Sequence, residues 1–126
     1  MSNTAIHTPN APAAIGPYSR AIEAGSTIYV SGQLPIDPAT GAFAGNDIAS
    51  QTRQSLTNIK NILAEAGTDM SAVVKTTVML ADIADFAAMN AVYAEFFSAP
   101  YPARAAYQVA CLPKNALVEI ECVAVK

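Results

Sequence analysis

One long helical pattern in the middle of the chain is the feature that most constrains the fold. Small and apolar residues recur there at helical spacing, between a possible N-cap at Asn46 or Asp47 and a stop at Gly67. The inward positions of this pattern are Ile48, Thr52, Leu56, Ile59, Leu63 and Ala66. The segments on both sides of it have the composition of strands. The sequence therefore predicts an α+β domain in which this helix packs against a sheet.

Two predicted strands precede the helix. Residues 18–23 and 27–33 form an expected hairpin across the glycine-containing turn 24–26. The segment 37–41, Asp-Pro-Ala-Thr-Gly, is a strong turn signal, and a short third strand is expected near residues 42–43.

The second half of the chain supplies the remaining elements. Residues 73–80 are β-branched and predict a central strand, followed by a second helix capped by Asp82 or Asp85. Residues 103–110, interpreted as a largely buried strand, and residues 117–125 close the chain. The expected order is β-β-(β)-α-β-α-β-β in one domain over residues 1–126, with two helices on one face of a mixed sheet.

Composition indicates how the other face of that sheet is covered. Hydrophobic residues make up 52% of only 126 residues, which is rich for a monomer of this size. Burial against copies of the same chain is the simplest remedy, so we expect a homo-oligomer. The alternative is a monomer with many exposed alanines.

Charge and cysteine content exclude several classes of function. The net charge is −3 with seven lysines and arginines and no basic run, so no nucleic-acid partner is expected. Cys111, Cys122 and the single histidine, His7, are too few for a four-ligand zinc site, so we expect no metal and two reduced cysteines. No glycine-rich loop leads from a strand into a helix, so phosphate binding is unsupported.

The chain shows no sign of export or membrane insertion. Its first residues lack a basic region followed by an apolar run, and no apolar segment approaches about 20 residues. We therefore expect a cytoplasmic enzyme or binding protein with no membrane partner.

Arg104 is the most unusual charge in the chain, because it opens an apolar strand pattern in a protein poor in charge. A guanidinium presents a planar fork of donors that matches a carboxylate in two parallel hydrogen bonds. The alternative interpretation is an ion pair with Glu119 or Glu121 inside the sheet. The two interpretations are compatible, and composition does not choose between them.

Glu119 and Glu121 are predicted on one face of the last strand, because they are two residues apart. Burial raises the pKa of a carboxyl and a nearby arginine lowers it, so such a glutamate could exchange a proton near neutrality. Two solvated acids on an exposed face are the alternative.

Four further residues are candidates for a binding pocket. Asn90 is the polar member of a stripe on the second helix whose other positions, 86, 93 and 97, are aromatic, and it could instead bond a neighbouring backbone group. Ser31 and Gly32 end a strand where glycine permits close backbone approach, although a plain strand exit explains them as well. Tyr18 could lend a hydroxyl or fill space.

Taken together, these segments resemble the RidA/YjgF family of small enamine and imine deaminases. The blocks that carry the resemblance are residues 10–19, 30–35, 51–60, 74–78, 85–90, 101–104, 112–113 and 118–121. They occur in the right order over nearly the whole chain. The resemblance implies a chorismate-mutase-like fold whose sheets close into a barrel in a homotrimer, with sites between neighbouring subunits.

The resemblance also implies roles for individual residues. Arg104 would bind the substrate carboxylate and Glu119 would lie near the attacking water, without a cofactor. Tyr18, Ser31, Gly32 and Asn90 match pocket-lining positions. Ala106 stands where many relatives carry Cys, Ser or Thr, so only the backbone N–H would serve there.

The implied reaction is hydrolysis of short 2-imino acids, and of their enamine tautomers, to 2-keto acids and ammonia. Pyridoxal-phosphate enzymes release such intermediates. The alternative is a non-catalytic protein of the same fold that senses keto acids or binds other proteins as a chaperone or regulator.

Overall fold

The computed structural model describes residues 3–126, which form a mixed sheet of six strands with two α-helices. The strands are β1 (Thr4–Ala5), β2 (Ala21–Ala24), β3 (Thr27–Gln33), β4 (Val73–Leu80), β5 (Ala103–Gln108) and β6 (Val118–Val125). The helices are α1 (Ile48–Glu65) and α2 (Phe86–Tyr93). The strand order across the sheet is β1-β2-β3-β6-β4-β5. Only the pair β4–β5 is parallel among these strands.

Helix α1 begins and ends where the sequence predicts. The side chain of Asp47 accepts a hydrogen bond of 2.9 Å from the backbone N–H of Ser50 and thereby caps the first turn. The chain leaves the helix through Gly67, whose φ of +82° favours glycine. The inner face of α1 is fully buried at Leu56, Ile59 and Leu63, so this helix supplies one wall of the core.

Helix α2 is shorter than the sequence pattern suggests. Asp82 caps a 3₁₀ turn, Ile83–Asp85, which runs directly into α2, and Asp85 makes no side-chain cap. The helix ends at Tyr93, so Phe97 lies beyond it. The Phe97 ring is nonetheless buried and packs against Tyr93 with 4.6 Å between ring centroids.

The structure differs from the predicted strands at three points. Strand β1 was not foreseen, because a two-residue strand carries no periodicity. The segment near residues 42–43 makes only one isolated bridge, between Ile36 and Phe43. The first hairpin strand begins at Ala21, so Tyr18 lies in the turn before it.

The interpretation of residues 103–110 as a largely buried strand is also wrong in the single chain. Strand β5 lies at the edge of the sheet, and four of its six residues are exposed. Its alanine-rich composition suits an edge as well as a centre, and composition does not set strand order.

The helices cover one face of the sheet, as predicted, and leave the other bare in the single chain. Alternate residues of β6, among them Val118 and Ile120, are fully buried against the helices. On the opposite face Tyr29, Tyr107 and Val125 are 53%, 46% and 44% exposed. The apolar character of this bare face agrees with the expectation of self-association. No helix within residues 3–126 has both the length and the hydropathy needed to span a bilayer.

Candidate functional site

The structure separates the predicted site residues into two groups on opposite faces of the sheet. Glu119 lies on the bare face, together with Gly32, Ser31 and the nearby loop that carries Tyr18. We call this group the glutamate half-site.

The second group lies on the helix-covered face, because Arg104 reaches α2. Its guanidinium contacts Asn90, Phe86 and Tyr93, all on that helix. Ala106 lies two residues further along β5, on the same side of the strand as Arg104. We call this group the arginine half-site.

The sheet register fixes how far apart the two half-sites are within one chain. Arg104 pairs with Thr76 on β4, whereas Glu119 on β6 pairs with Met79 of the same strand. Strand spacing and rise therefore separate the two residues by about 10 Å across the sheet and about 10 Å along it. One chain does not bring Arg104 and Glu119 together.

The glutamate half-site lines a cavity of about 640 Å³. Tyr18 and the loop before it form one wall, and the turn that carries Lys114 forms another. Glu119 and Glu121 line the cavity from the sheet. A cavity of this size accommodates a small organic acid with room to spare.

A β-bulge shapes the floor of this cavity. Val30 pairs with Cys122 and Gln33 with Ile120, so that Ser31 and Gly32 together face the single residue Glu121. Bulges of this kind re-aim side chains near functional sites.

Gly32 gives the Glu119 carboxylate its space. A Cβ added at Gly32 would lie 3.0 Å from the Glu119 carboxyl carbon and closer still to Oε2. The predicted importance of glycine here therefore has a physical basis: the carboxylate lies against the bare backbone.

The Ser31 hydroxyl is engaged in holding the cavity wall. It donates a hydrogen bond of 2.5 Å to the backbone carbonyl of Ser19, next to Tyr18. The backbone N–H of Ser31 donates to the carbonyl of Arg20 at 2.9 Å. Ser31 thus ties β3 to the loop that carries Tyr18, while also lining the cavity.

Electrostatics favour the neutral form of Glu119 more than is usual for a glutamate. Partial burial raises the pKa of the Glu119 carboxyl, and the negative charge of Glu121 raises it further. In residues 3–126 neither glutamate pairs with a cation, and the ion pairs found are Arg53–Glu95 and Lys126–Glu23. The alternative of an ion pair between Arg104 and either glutamate is therefore wrong within one chain.

Arg104 is an exposed side chain whose guanidinium is held by helix α2. Its Nη1 donates a hydrogen bond of 2.7 Å to Oδ1 of Asn90. Its Cζ lies 4.7 Å from the ring centroid of Tyr93 and 5.4 Å from that of Phe86. Asn90 is thus a direct partner of the arginine, and the remaining guanidinium donors are available for a ligand.

The backbone of β5 adds a donor next to Arg104. The N–H of Val109 donates to the carbonyl of Leu80 at 2.9 Å. Every second residue of β5, counted back from Val109, therefore directs its N–H group toward β4. By alternation, the N–H groups of Arg104, Ala106 and Gln108 point to the open edge of the sheet. The backbone N–H of Ala106 is therefore placed to serve a ligand without a side chain.

Tyr93 and Phe86 are site residues that the sequence reasoning did not identify as such. Both were recognised as apolar positions of the second helix, and both flank the polar Asn90 at helical spacing. The sequence signal that could have identified them is their spacing, because Phe86 and Tyr93 lie four and three positions from Asn90, on the same face of the helix. Cys122 takes no part as a nucleophile, because burial and the charge of Glu121 raise the pKa of its thiol to about 12.

Comparison with known proteins agrees with the resemblance drawn from the sequence. The family model described as Endoribonuclease L-PSP, Ribonuc_L-PSP, matches residues 8–126. RutC family protein y4sK of Sinorhizobium fredii is 58% identical over 94% of both chains. The 2-iminobutanoate/2-iminopropanoate deaminase of Bos taurus is 55% identical over 96% of this chain and 88% of its own.

The fold comparison gives the same result. The crystal structure of RidA from the Antarctic bacterium Psychrobacter sp. PAMC 21119 superposes with a TM-score of 0.94 at 46% identity, covering 98% of this chain and 99% of that one. The mixed α+β fold and the RidA/YjgF resemblance are thereby confirmed. This chain belongs to the Ribonuc_L-PSP family, which includes the RidA proteins.

Proposed function

We propose that this protein hydrolyses short 2-imino acids to 2-keto acids and ammonia, at sites that neighbouring copies of a homotrimer complete. The observation that carries the proposal is the division of one chemical site into two halves. Each chain holds Arg104 against α2 on one sheet face and Glu119 in a cavity on the other, and we assign carboxylate binding to the first and proton transfer to the second. Relatives at 50–55% identity that are named 2-iminobutanoate/2-iminopropanoate deaminase support the reaction.

A cyclic arrangement of copies satisfies both the division of the site and the bare sheet face. Burial of Tyr29, Tyr107 and Val125 removes exposed apolar surface. In a heterologous ring the arginine half-site of one copy meets the glutamate half-site of the next, and every copy uses both halves once.

In the proposed reaction Arg104 binds the substrate carboxylate through two parallel hydrogen bonds, with the backbone N–H of Ala106 beside it. The C=N carbon then faces a water molecule next to Glu119 of the neighbouring copy. Glu119 accepts a proton from this water as its oxygen adds to the carbon of the protonated imine, and the C=N electron pair moves onto the nitrogen to give a neutral amine.

The resulting carbinolamine collapses to products. Its nitrogen takes a proton from the protonated Glu119, the C–N bond breaks, and ammonia leaves as the hydroxyl oxygen forms the keto group. Donation to the nitrogen returns Glu119 to its carboxylate form, and the hydroxyl proton passes to solvent water, so that ammonia and this proton together amount to ammonium. Orientation and proton transfer together account for the acceleration, because free imines already hydrolyse in water.

The proposed partners are therefore a small imino or keto acid and further copies of the chain, in the cytoplasm where pyridoxal-phosphate enzymes release imines. RNA cleavage, which the family description names, is not part of the proposal. The chain has seven basic and ten acidic residues, and a polyanion would meet a surface of like charge.

The direct test generates 2-iminobutanoate or 2-iminopropanoate in situ and follows keto-acid and ammonia release with and without the purified protein. We expect acceleration proportional to protein concentration. If the protein binds 2-ketobutanoate but leaves the imine lifetime unchanged, the deaminase proposal fails and the keto-acid sensor is supported.

Replacing Gly32 with alanine is expected to lower kcat with little change in Tm. The added Cβ would displace the flexible end of Glu119 rather than backbone, so the fold adapts while the carboxylate moves. A misplacement of about 1 Å in a catalytic group costs about 100-fold in rate. Gly25→Ala is the control for thermal stability. Gly25 lies in the turn of the β2–β3 hairpin with a φ of +62°, which favours glycine, and a Cβ added there would meet no other atom. The substitution therefore strains the backbone without displacing Glu119. Unchanged kcat in Gly32→Ala would contradict the role given to Glu119.

A further inference from the structure

The ring of Tyr93 lies against the guanidinium of Arg104 and has no role in the reaction described above. The 4.7 Å between the Arg104 Cζ and the ring centroid is within the range in which an aromatic face attracts a cation. The contact therefore holds the group that is proposed to bind the substrate.

Asn90 alone does not fix the orientation of the guanidinium. Its single hydrogen bond fixes one nitrogen and leaves the planar group free to turn about that contact. A two-point grip on a carboxylate needs the fork in one plane. The Tyr93 ring, whose centroid lies 4.7 Å from the Arg104 Cζ, restricts this rotation.

Tyr93 is itself held in place. Its side chain is buried, and its hydroxyl lies 2.8 Å from the hydroxyl of Thr76, which is fully buried. Thr76 is the residue paired with Arg104 across the parallel ladder of β4 and β5. The same pair of strands thus carries both the arginine and the group that fixes the ring beneath it.

We propose that the ring of Tyr93 is a positioning group that orients the Arg104 guanidinium for a two-point grip on a carboxylate. The inference rests on the proposed function, because the carboxylate grip is the task given to Arg104. Tyr93 acts through the arginine and not on the substrate. Its loss therefore weakens carboxylate binding and leaves proton transfer at Glu119 intact.

The first test compares variants that remove the ring with one that keeps it. Tyr93→Leu is expected to raise the Kd for 2-ketobutanoate and the KM for the imino acid about tenfold, with kcat within about twofold. Tyr93→Phe keeps the ring and is expected to stay within about twofold of the parent Kd. Tyr93→Met also removes the ring, so the same rise in Kd and KM is expected, and this variant replaces Tyr93→Leu if the leucine variant does not fold.

The second test asks whether the effect passes through the arginine. In an Arg104→Lys background, Tyr93→Leu is expected to change the Kd by less than about twofold, because an ammonium has no plane to orient. A tenfold change in Kd in both backgrounds would overturn the proposal, since the ring would then affect ligand binding independently of the guanidinium.

These outcomes are distinct from failure of the proposed function. A parent protein that binds 2-ketobutanoate without hydrolysing imines refutes the deaminase, and the Kd comparison still decides the role of Tyr93. Folded Tyr93→Leu and Tyr93→Met proteins with unchanged Kd and KM refute the positioning role, while the deaminase proposal stands.

Discussion

Replacing Arg104 with alanine is expected to lower kcat/KM for 2-imino acids about 1000-fold. The substitution removes the charged fork that holds the substrate carboxylate, and truncating one partner of a hydrogen-bonded charge pair costs about 4 kcal/mol. Because Arg104 is exposed at the sheet edge in the single chain, its loss leaves no cavity in the core. Steady-state kinetics with imine generated in situ measures the effect, and Tm reports that the fold is kept.

Arg53→Ala is the matched control for this experiment. Arg53 is also an exposed arginine, but it lies on α1, pairs with Glu95 two residues beyond the end of α2, and belongs to neither half-site. We expect its kcat/KM to equal that of the parent protein. Equal loss in Arg53→Ala and Arg104→Ala, or full activity in Arg104→Ala, would contradict the carboxylate-binding role.

Replacing Glu119 with glutamine is expected to lower kcat about 1000-fold, within the range that general acid–base catalysis contributes, while the Kd for 2-ketobutanoate changes little. The amide keeps the shape of the side chain and cannot accept the proton. Loss of binding in proportion to turnover would instead indicate a structural role for Glu119.

The pH dependence provides a second readout for Glu119. The parent protein is expected to lose activity as pH falls through the raised pKa of this carboxyl, because the base must be ionised. A raised folded-state pKa also means that its contribution to stability is present in acid and is lost as pH rises through that pKa. Glu119→Gln is therefore expected to have a higher Tm than the parent above that pKa and a similar Tm below it.

Glu121→Gln is the matched control on the same strand. It is expected to keep its turnover at neutral pH, because Glu121 has no catalytic role in the proposal. Removing its charge takes away one of the two causes that raise the pKa of Glu119. The acidic limb of the activity profile is therefore expected to move to lower pH, and an unmoved limb would show that the two carboxylates do not interact.

Much of the fold could be predicted because local signals specify it. Asp47 and Gly67 bound α1, and the β-branched segment at Val73–Leu80 forms β4 with the predicted limits. The exposed position of β5 could not be predicted, since strand order depends on which edges pair and not on composition. The two-residue β1 could not be predicted either, because so short a strand carries no periodicity.

The site residues could be predicted as a set, but their arrangement could not. Alternation along the last strand placed Glu119 and Glu121 on one face, and the structure has them there. Nothing in the sequence indicates that Arg104 on β5 points to the opposite face, because that depends on the phase of the β4–β5 pairing. The support of Arg104 by Tyr93 likewise arises only when α2 packs over the sheet.

Mixing two inactive variants is the most direct measurement of the central claim, that each site joins Arg104 of one copy to Glu119 of another. We would co-express differently tagged Arg104→Ala and Glu119→Gln chains, purify the hybrid oligomers and assay imine hydrolysis. A trimeric ring that contains both variants has both native residues in one of its three sites, so the purified hybrids are expected to recover about one third of the parent activity. Activity no higher than that of the two separate variants would contradict the shared site.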